Sequence, residues 1–159
     1  MNNGLEDRDQ MTDVTCNPGL GRYRLHHVGI VVKDIPEAAD LYVRRFGHEV
    51  KTEIVHDQIQ TAYVQFLRLR GDSVYVELVS PDGPGSKLTN ALNKGGGLNH
   101  LCYSTNDIEA ECARLRGEGL MLLCAPVSAT AFQGRRIAWL MGADRVPFEL
   151  VERGGQNEL

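Results

Sequence analysis

LHHVGIVVKDIPEA at residues 25–38 and LNHLCYSTNDIEA at residues 98–110 are two divergent writings of one pattern. His27 opens the first and His100 the second, and each is followed by an apolar run, an Asp-Ile pair and a Glu-Ala pair. Later in each copy a glutamate stands in a matching frame, Glu77 in VYVELVS and Glu149 in VPFELVE. The histidines lie 73 positions apart and the glutamates 72, a difference assigned here to one extra residue, Pro36, at the start of the first helix. Two modules that each supply an early histidine and a late glutamate predict a divalent-metal site at a pseudo-two-fold axis.

A chain of 159 residues can bury one good core, or two half-size modules sharing one, and hardly two independent domains. The net charge of −4 and the absence of a Lys/Arg run argue against nucleic acid. No apolar run approaches a membrane span, and the start has no apolar signal segment. Cys16, Cys102, Cys112 and Cys124 form no CxxC pair, so they are expected to be reduced thiols in a cytoplasmic protein, with Cys102 and Cys112 packed as small hydrophobes.

Residues 1–22 are polar and lack a sustained period, which predicts a flexible leader, and 153–159 predict a loose tail. Between them, 23–152 predict a single domain of two βαβββ modules, 23–81 and 97–152. In the first, a strand at 24–32 precedes a helix that begins near Pro36 and ends at Gly47. Strands follow at 49–56, 61–70 and 73–80, the last two joined by a turn at Arg70-Gly71-Asp72. A proline-glycine connection at 81–85 and a short helix at 87–93 lead to the second copy. There a strand at 98–105, a helix at 107–116 and strands near 120–125, 134–141 and 146–152 repeat the order.

Strand alternation sets His27 opposite His26, Val28, Ile30 and Val32, the face that packs a helix, so His27 points into the cavity of a curved sheet. Glu77 and Glu149 land on the cavity side by the same count. A lone histidine or glutamate in a strand is ordinarily a core or solvated residue. Four at matched positions would leave two unpaired carboxylates in one cavity unless a cation lies between them. His26 has no histidine counterpart, since Asn99 takes its place, and is read as structural.

The paired βαβββ order, the two histidine segments and ELVSPDGPGSKL at 77–88 resemble the vicinal oxygen chelate superfamily, which includes glyoxalase I, extradiol dioxygenases and antibiotic-resistance proteins. The resemblance covers about Leu25 to Glu152. The stretch from Glu77 to His100 is most similar to methylmalonyl-CoA epimerases. It implies an α+β fold with a half-barrel sheet around a metal cavity, and family ligands on His27, Glu77, His100 and Glu149. It also implies one divalent ion (Zn, Co, Ni, Mn or Fe), a small-molecule carbonyl substrate and a homodimer.

Four protein ligands rather than three favour proton transfer over oxygen activation. The expected activity is a metal-dependent epimerase that removes a proton next to a carbonyl through a metal-bound enolate, with Glu149 and Glu77 catalytic. The substrate is expected to be an acyl-CoA of the methylmalonyl type, or a keto-sugar or cyclitol of the 2-epi-5-epi-valiolone type. The alternatives are a glyoxalase I-type isomerase or lyase, and a ligand-sequestering resistance protein of the same fold.

Extending the 72 spacing to the third strands pairs Tyr63 with Arg135, Gln65 with Ile137 and Leu67 with Trp139, all expected on the cavity side. Tyr63, Gln65, Arg135 and Trp139 are therefore the expected substrate-binding residues. Tyr63 and Gln65 are poor bases at neutral pH and stand near the position where some of these epimerases carry a second glutamate. At most one of Arg135 and Arg136 can face the cavity. Elemental analysis of the purified protein should find about one divalent ion per chain, lost in His27→Ala and in His100→Ala. Full occupancy in both variants would remove the site assignment.

Overall fold

Asp34 and Asp107 start the two helices in the same way. Each sits in extended backbone, and its carboxylate accepts a backbone N–H three residues on, from Glu37 at 2.8 Å and from Ala110 at 2.9 Å. Pro36 fits the first turn, where no backbone donor is needed, and Gly47 closes the first helix in the left-handed conformation at φ 74°. The computed structural model describes residues 21–155 and 159. Most of the expected leader, Cys16 with it, and residues 156–158 lie outside that range.

The first module runs β1 (Tyr23–Val31), α1 (Ile35–Phe46), β2 (Glu49–Val50), β3 (Val55–Asp57), β4 (Ala62–Arg68) and β5 (Tyr75–Pro81). A short α2 (Thr89–Asn93) leads to β6 (Gly97–Thr105), α3 (Ile108–Gly117), β7 (Met121–Ser128), β8 (Arg136–Met141) and β9 (Pro147–Glu152). One open mixed sheet of nine strands results, ordered β2-β4-β5-β1-β6-β9-β8-β7 with β3 beside β4. β1 lies parallel to β5, β6 lies parallel to β9, and the modules meet where β1 runs antiparallel to β6.

Each helix covers its own module's half of one sheet face. Ile35 and Ala39 pack on Leu67 and Leu78, and Ile108, Cys112 and Leu115 pack on Ala138, Leu140 and Leu150. The other face carries Val64, Phe66, Val79, Cys102, Ile137 and Val151, which line or floor the cavity. No helix among the described residues is long and apolar enough to cross a membrane.

Pro36 is not the extra residue. The helix-face pair Ile35/Ile108 just before it and Ala39/Cys112 beyond it hold the same 73 spacing, and so do Phe66 and Trp139, which stand directly across from Glu77 and Glu149. The spacing changes in the turns: six residues, 69–74, join β4 to β5, and five, 142–146, join β8 to β9. Moving the insertion past β4 shifts that strand's frame by one, which reverses every side chain on it. Ala62, Val64 and Phe66 therefore face the cavity, while Tyr63, Gln65 and Leu67 face the helix side.

The strand expected at 49–56 is interrupted, with the Thr52 hydroxyl accepting Phe66 N–H at 3.0 Å where a ladder carbonyl would have served. β7 runs on to Ser128, and a 3-10 turn at Thr130–Phe132 follows it. The fully buried Asp57 carboxylate accepts N–H groups of Thr130 at 2.7 Å and Ala131 at 3.3 Å, joining module one to that turn of module two. Beyond β9, Arg153 N–H donates to Thr105 O at 2.8 Å and Leu159 packs on the cavity-face core.

Tyr23 at the start of β1 is tied to α3 by a hydroxyl shared between Glu111 and Arg114. Burial, then Glu111, pushes the phenol up to about 12. Burial alone would raise Glu111, but Tyr23, Arg114 and Arg22 outweigh it and hold the carboxyl below its ordinary range. A depressed carboxyl stabilises the fold above its unfolded pKa, and that contribution is lost as pH falls through the folded value. Glu111→Gln should lower unfolding stability at pH 7 by about 1–2 kcal/mol. The gap between variant and parent in denaturant titrations should close below about pH 4.

Candidate metal centre

His27 from β1, Glu77 from β5, His100 from β6 and Glu149 from β9 come from four adjacent central strands, and all four are buried. His27 Nε2 and His100 Nε2 are 3.1 Å apart. Glu77 Oε2 lies 3.3 Å from the first and 3.2 Å from the second. Glu149 Oε2 lies 3.2 Å and 4.0 Å from the same two nitrogens. Donors bound about 2.1 Å from one ion stand roughly 3.0–3.4 Å apart at neighbouring positions, so the spacing of His27, Glu77 and His100 suits a shared cation, with Glu149 Oε2 beside His27 Nε2.

Two further observations test that fit. Glu149 Oε2 is buried and accepts no hydrogen bond, despite its distance from His27. A buried anionic oxygen that has an imidazole 3.2 Å away but no hydrogen bond is costly to keep charged unless a cation meets it. Burial alone would depress the His27 imidazolium, yet the Glu77 and Glu149 carboxylates around it hold its pKa well above the usual value. Burial would raise the Glu77 carboxyl, and His27 and His100 instead hold it far below the carboxylate range. N/O donors of this kind suit Zn, Co, Ni, Mn or Fe.

The centre floors a cavity of about 390 Å³, walled by Val64, Val79, Phe132, Ile137 and Trp139, with Gln60 and Lys87 also on its lining. Trp139 packs edge-on to His100, ring centroids 4.7 Å apart. The other residues expected on the cavity side are elsewhere. Tyr63 is exposed and lies against the His56 ring, and Gln65 donates to Thr52 O at 3.1 Å. Their displacement follows from the one-residue shift of β4. Arg135 has the right parity but is turned to backbone, donating to Glu152 O at 2.9 Å and Phe132 O at 3.3 Å. Arg136 is paired with Glu152 and Glu109.

Sequence reading passed over Gly29. A Cβ there would come within 2.0 Å of His100 Cε1, so the imidazole occupies the space that a side chain would take. Only the strand register carries the signal, since Gly29 is the position in β1 that faces His100 across the antiparallel pair.

Residues 26–139 match the family model of the glyoxalase/bleomycin resistance protein/dioxygenase superfamily. The chain is 32% identical over 123 residues to the ethylmalonyl-CoA/methylmalonyl-CoA epimerase of Cereibacter sphaeroides, covering 76% of this chain and 90% of that protein. The fold superposes on the crystal structure of methylmalonyl-CoA epimerase from Mycobacterium tuberculosis with a TM-score of 0.75 at 29% identity, covering 83% of this chain and 89% of that one. A variant of the Streptomyces coelicolor methylmalonyl-CoA epimerase in complex with 2-nitronate-propionyl-CoA gives a TM-score of 0.74 at 27% identity, covering 83% and 98%.

Gly29→Ala should displace the His100 ring while leaving the strand pairing intact. We expect Zn²⁺ affinity, read by chelator competition, to fall at least about 10–100-fold with little change in far-UV circular dichroism. Parental affinity would show that His100 is not held where the structure has it.

Proposed function

The chain belongs to the glyoxalase/bleomycin resistance protein/dioxygenase superfamily, and from that premise we propose that it is a metal-dependent epimerase of 2-substituted acyl-CoA thioesters. The observation that carries this reading is the buried Glu149 oxygen that accepts no hydrogen bond, set beside two imidazoles and a second carboxylate. A divalent ion held by His27, Glu77, His100 and Glu149 would supply Lewis acidity at a carbonyl oxygen, making the neighbouring C–H easier to ionise.

The protein's own groups do the rest. Glu77 Oε2 is engaged by both imidazoles, which favours an anchoring role. Glu149 Oε2 lies 3.2 Å from His27 Nε2 but 4.0 Å from His100 Nε2 and makes no hydrogen bond, so it is the less firmly held carboxylate and takes the proton-acceptor role in this reading. In the epimerase reading Glu77, across the pseudo-axis, serves the opposite face of the same carbon. The cavity side of β4 offers Ala62 and Val64 and no acid, so this strand supplies no further base. The apolar walls exclude water from a carbanionic centre and suit an alkyl branch better than a ring of hydroxyls, which favours an acyl thioester over a keto-sugar or cyclitol.

The reading extends to a homodimer, supported by the family and by the unpaired edge of β7. It extends also to the cytoplasm, in keeping with the free thiols of Cys102, Cys112 and Cys124.

Deuterium exchange into 2-methyl and 2-ethyl malonyl thioesters, with hydroxyketones run in parallel, tests the proposal. Glu149→Gln keeps the side-chain shape and should slow exchange by about 10²–10⁴-fold. Glu77→Gln should weaken ion binding first and activity with it. Exchange by Glu149→Gln at the parental rate would overturn the proton-transfer role, and exchange only into hydroxyketones would move the substrate to the keto-sugar class.

A further inference from the structure

The antiparallel pairing of β1 with β6 is broken twice. Leu25 stands across from Tyr103 and His27 from Cys102, which leaves His26 as an extra residue in β1. Gly29 stands across from His100 and Ile30 from Leu98, which leaves Asn99 as an extra residue in β6. Each bulge falls on the residue immediately before a site histidine, and the two positions are 73 apart, so the pseudo-two-fold relates them. Bulges re-aim side chains at the cost of ladder hydrogen bonds.

Strict alternation would point residues 26 and 99 away from the histidines that follow them. Instead Asn99 Oδ1 lies 3.0 Å from His100 Nδ1, and His26 Nδ1 lies 2.9 Å from His27 Nδ1. His26 is buried in an aromatic enclosure of Phe66, Tyr75 and Phe132, so its ring has little freedom to turn. Asn99 borders the cavity.

We infer that His26 and Asn99 are positioning residues, placed by paired bulges to accept the Nδ1–H of His27 and His100 and so leave each Nε2 lone pair for the divalent ion. The inference rests on the metal reading proposed above. An amide oxygen only accepts, so the His100 bond requires the proton on Nδ1. For His27 to present the Nε2 lone pair its proton must also be on Nδ1. His26 Nδ1 is then the acceptor, and the His26 proton sits on its own Nε2. The two residues differ in type but perform one task, so the mismatch of His26 with Asn99 in the repeat conceals an equivalence of role. An oriented imidazole with a fixed tautomer is a better ligand than one that must turn and shed its proton on binding.

The test compares the parent protein with Asn99→Ala and Asn99→Asp, using Zn²⁺ as the probe. Asn99→Asp keeps an oxygen acceptor. We expect Asn99→Ala to bind Zn²⁺ about 10–100-fold more weakly in chelator competition, Asn99→Asp to bind within a few-fold of the parent or tighter, and all three metal-free proteins to melt together. Long-range ¹⁵N–¹H spectra of the Zn²⁺-loaded parent should show Nδ1–H on His27 and His100 and Nε2–H on His26. His26→Asn, which gives module one the acceptor that module two uses, should retain affinity better than His26→Phe; the Asn99 arm stands if either fails to fold. Parental Zn²⁺ affinity in Asn99→Ala, or an Nε2–H tautomer of His100 in the loaded protein, would overturn the orienting role and leave the metal reading in place. A parent that takes up no Zn²⁺ would overturn both.

Discussion

The antiparallel pairing of β1 with β6 is the constraint on which the structure depends. It joins two modules that would each leave a histidine and a glutamate on an uncovered sheet face, and it sets Gly29 opposite His100 and Cys102 opposite His27. Because β5 and β9 flank the pair, the glutamates arrive beside the histidines from both sides. Two carboxylates buried together repel, and burial adds a penalty for each charge. The imidazoles of His27 and His100 beside the carboxylates offset part of this, and a divalent cation would offset more. The same pairing that builds the sheet therefore concentrates a charge imbalance at its centre.

Much of this was legible in the sequence because the repeat is carried by residues that the fold cannot move. Asp34 and Asp107 cap helices, and their spacing fixes where each helix starts. His27, Glu77, His100 and Glu149 sit in strands whose opposite faces are apolar, so alternation alone sends them to the cavity. Placement failed where counting replaced structure. The helix start was the wrong place for the odd residue, and putting it there turned β4 over, sending Tyr63 and Gln65 into a cavity lined in fact by Ala62 and Val64. Turn length is weakly constrained by residue type, and the six-residue turn after β4 carries no signal that sets it apart from the five-residue one after β8.

Local departures from regular geometry were illegible for a different reason. A bulge changes which way a side chain points without changing its identity, so His26 reads as a helix-facing residue until the pairing is seen. The 3-10 turn that brings Phe132 to the cavity depends on Asp57, 73 residues before Thr130. No local pattern announces an acceptor so far away. Gly29 was visible as a glycine, but the demand for one comes from the His100 ring across the sheet.

Whether His27, Glu77, His100 and Glu149 form one cation site is decided by crystals grown with Co²⁺ and measured at the cobalt absorption edge. A shared site gives one strong anomalous peak per chain, about 2.0–2.2 Å from His27 Nε2, His100 Nε2 and an oxygen of each of Glu77 and Glu149. A peak bound elsewhere, or one that leaves Glu149 uncoordinated, would contradict it.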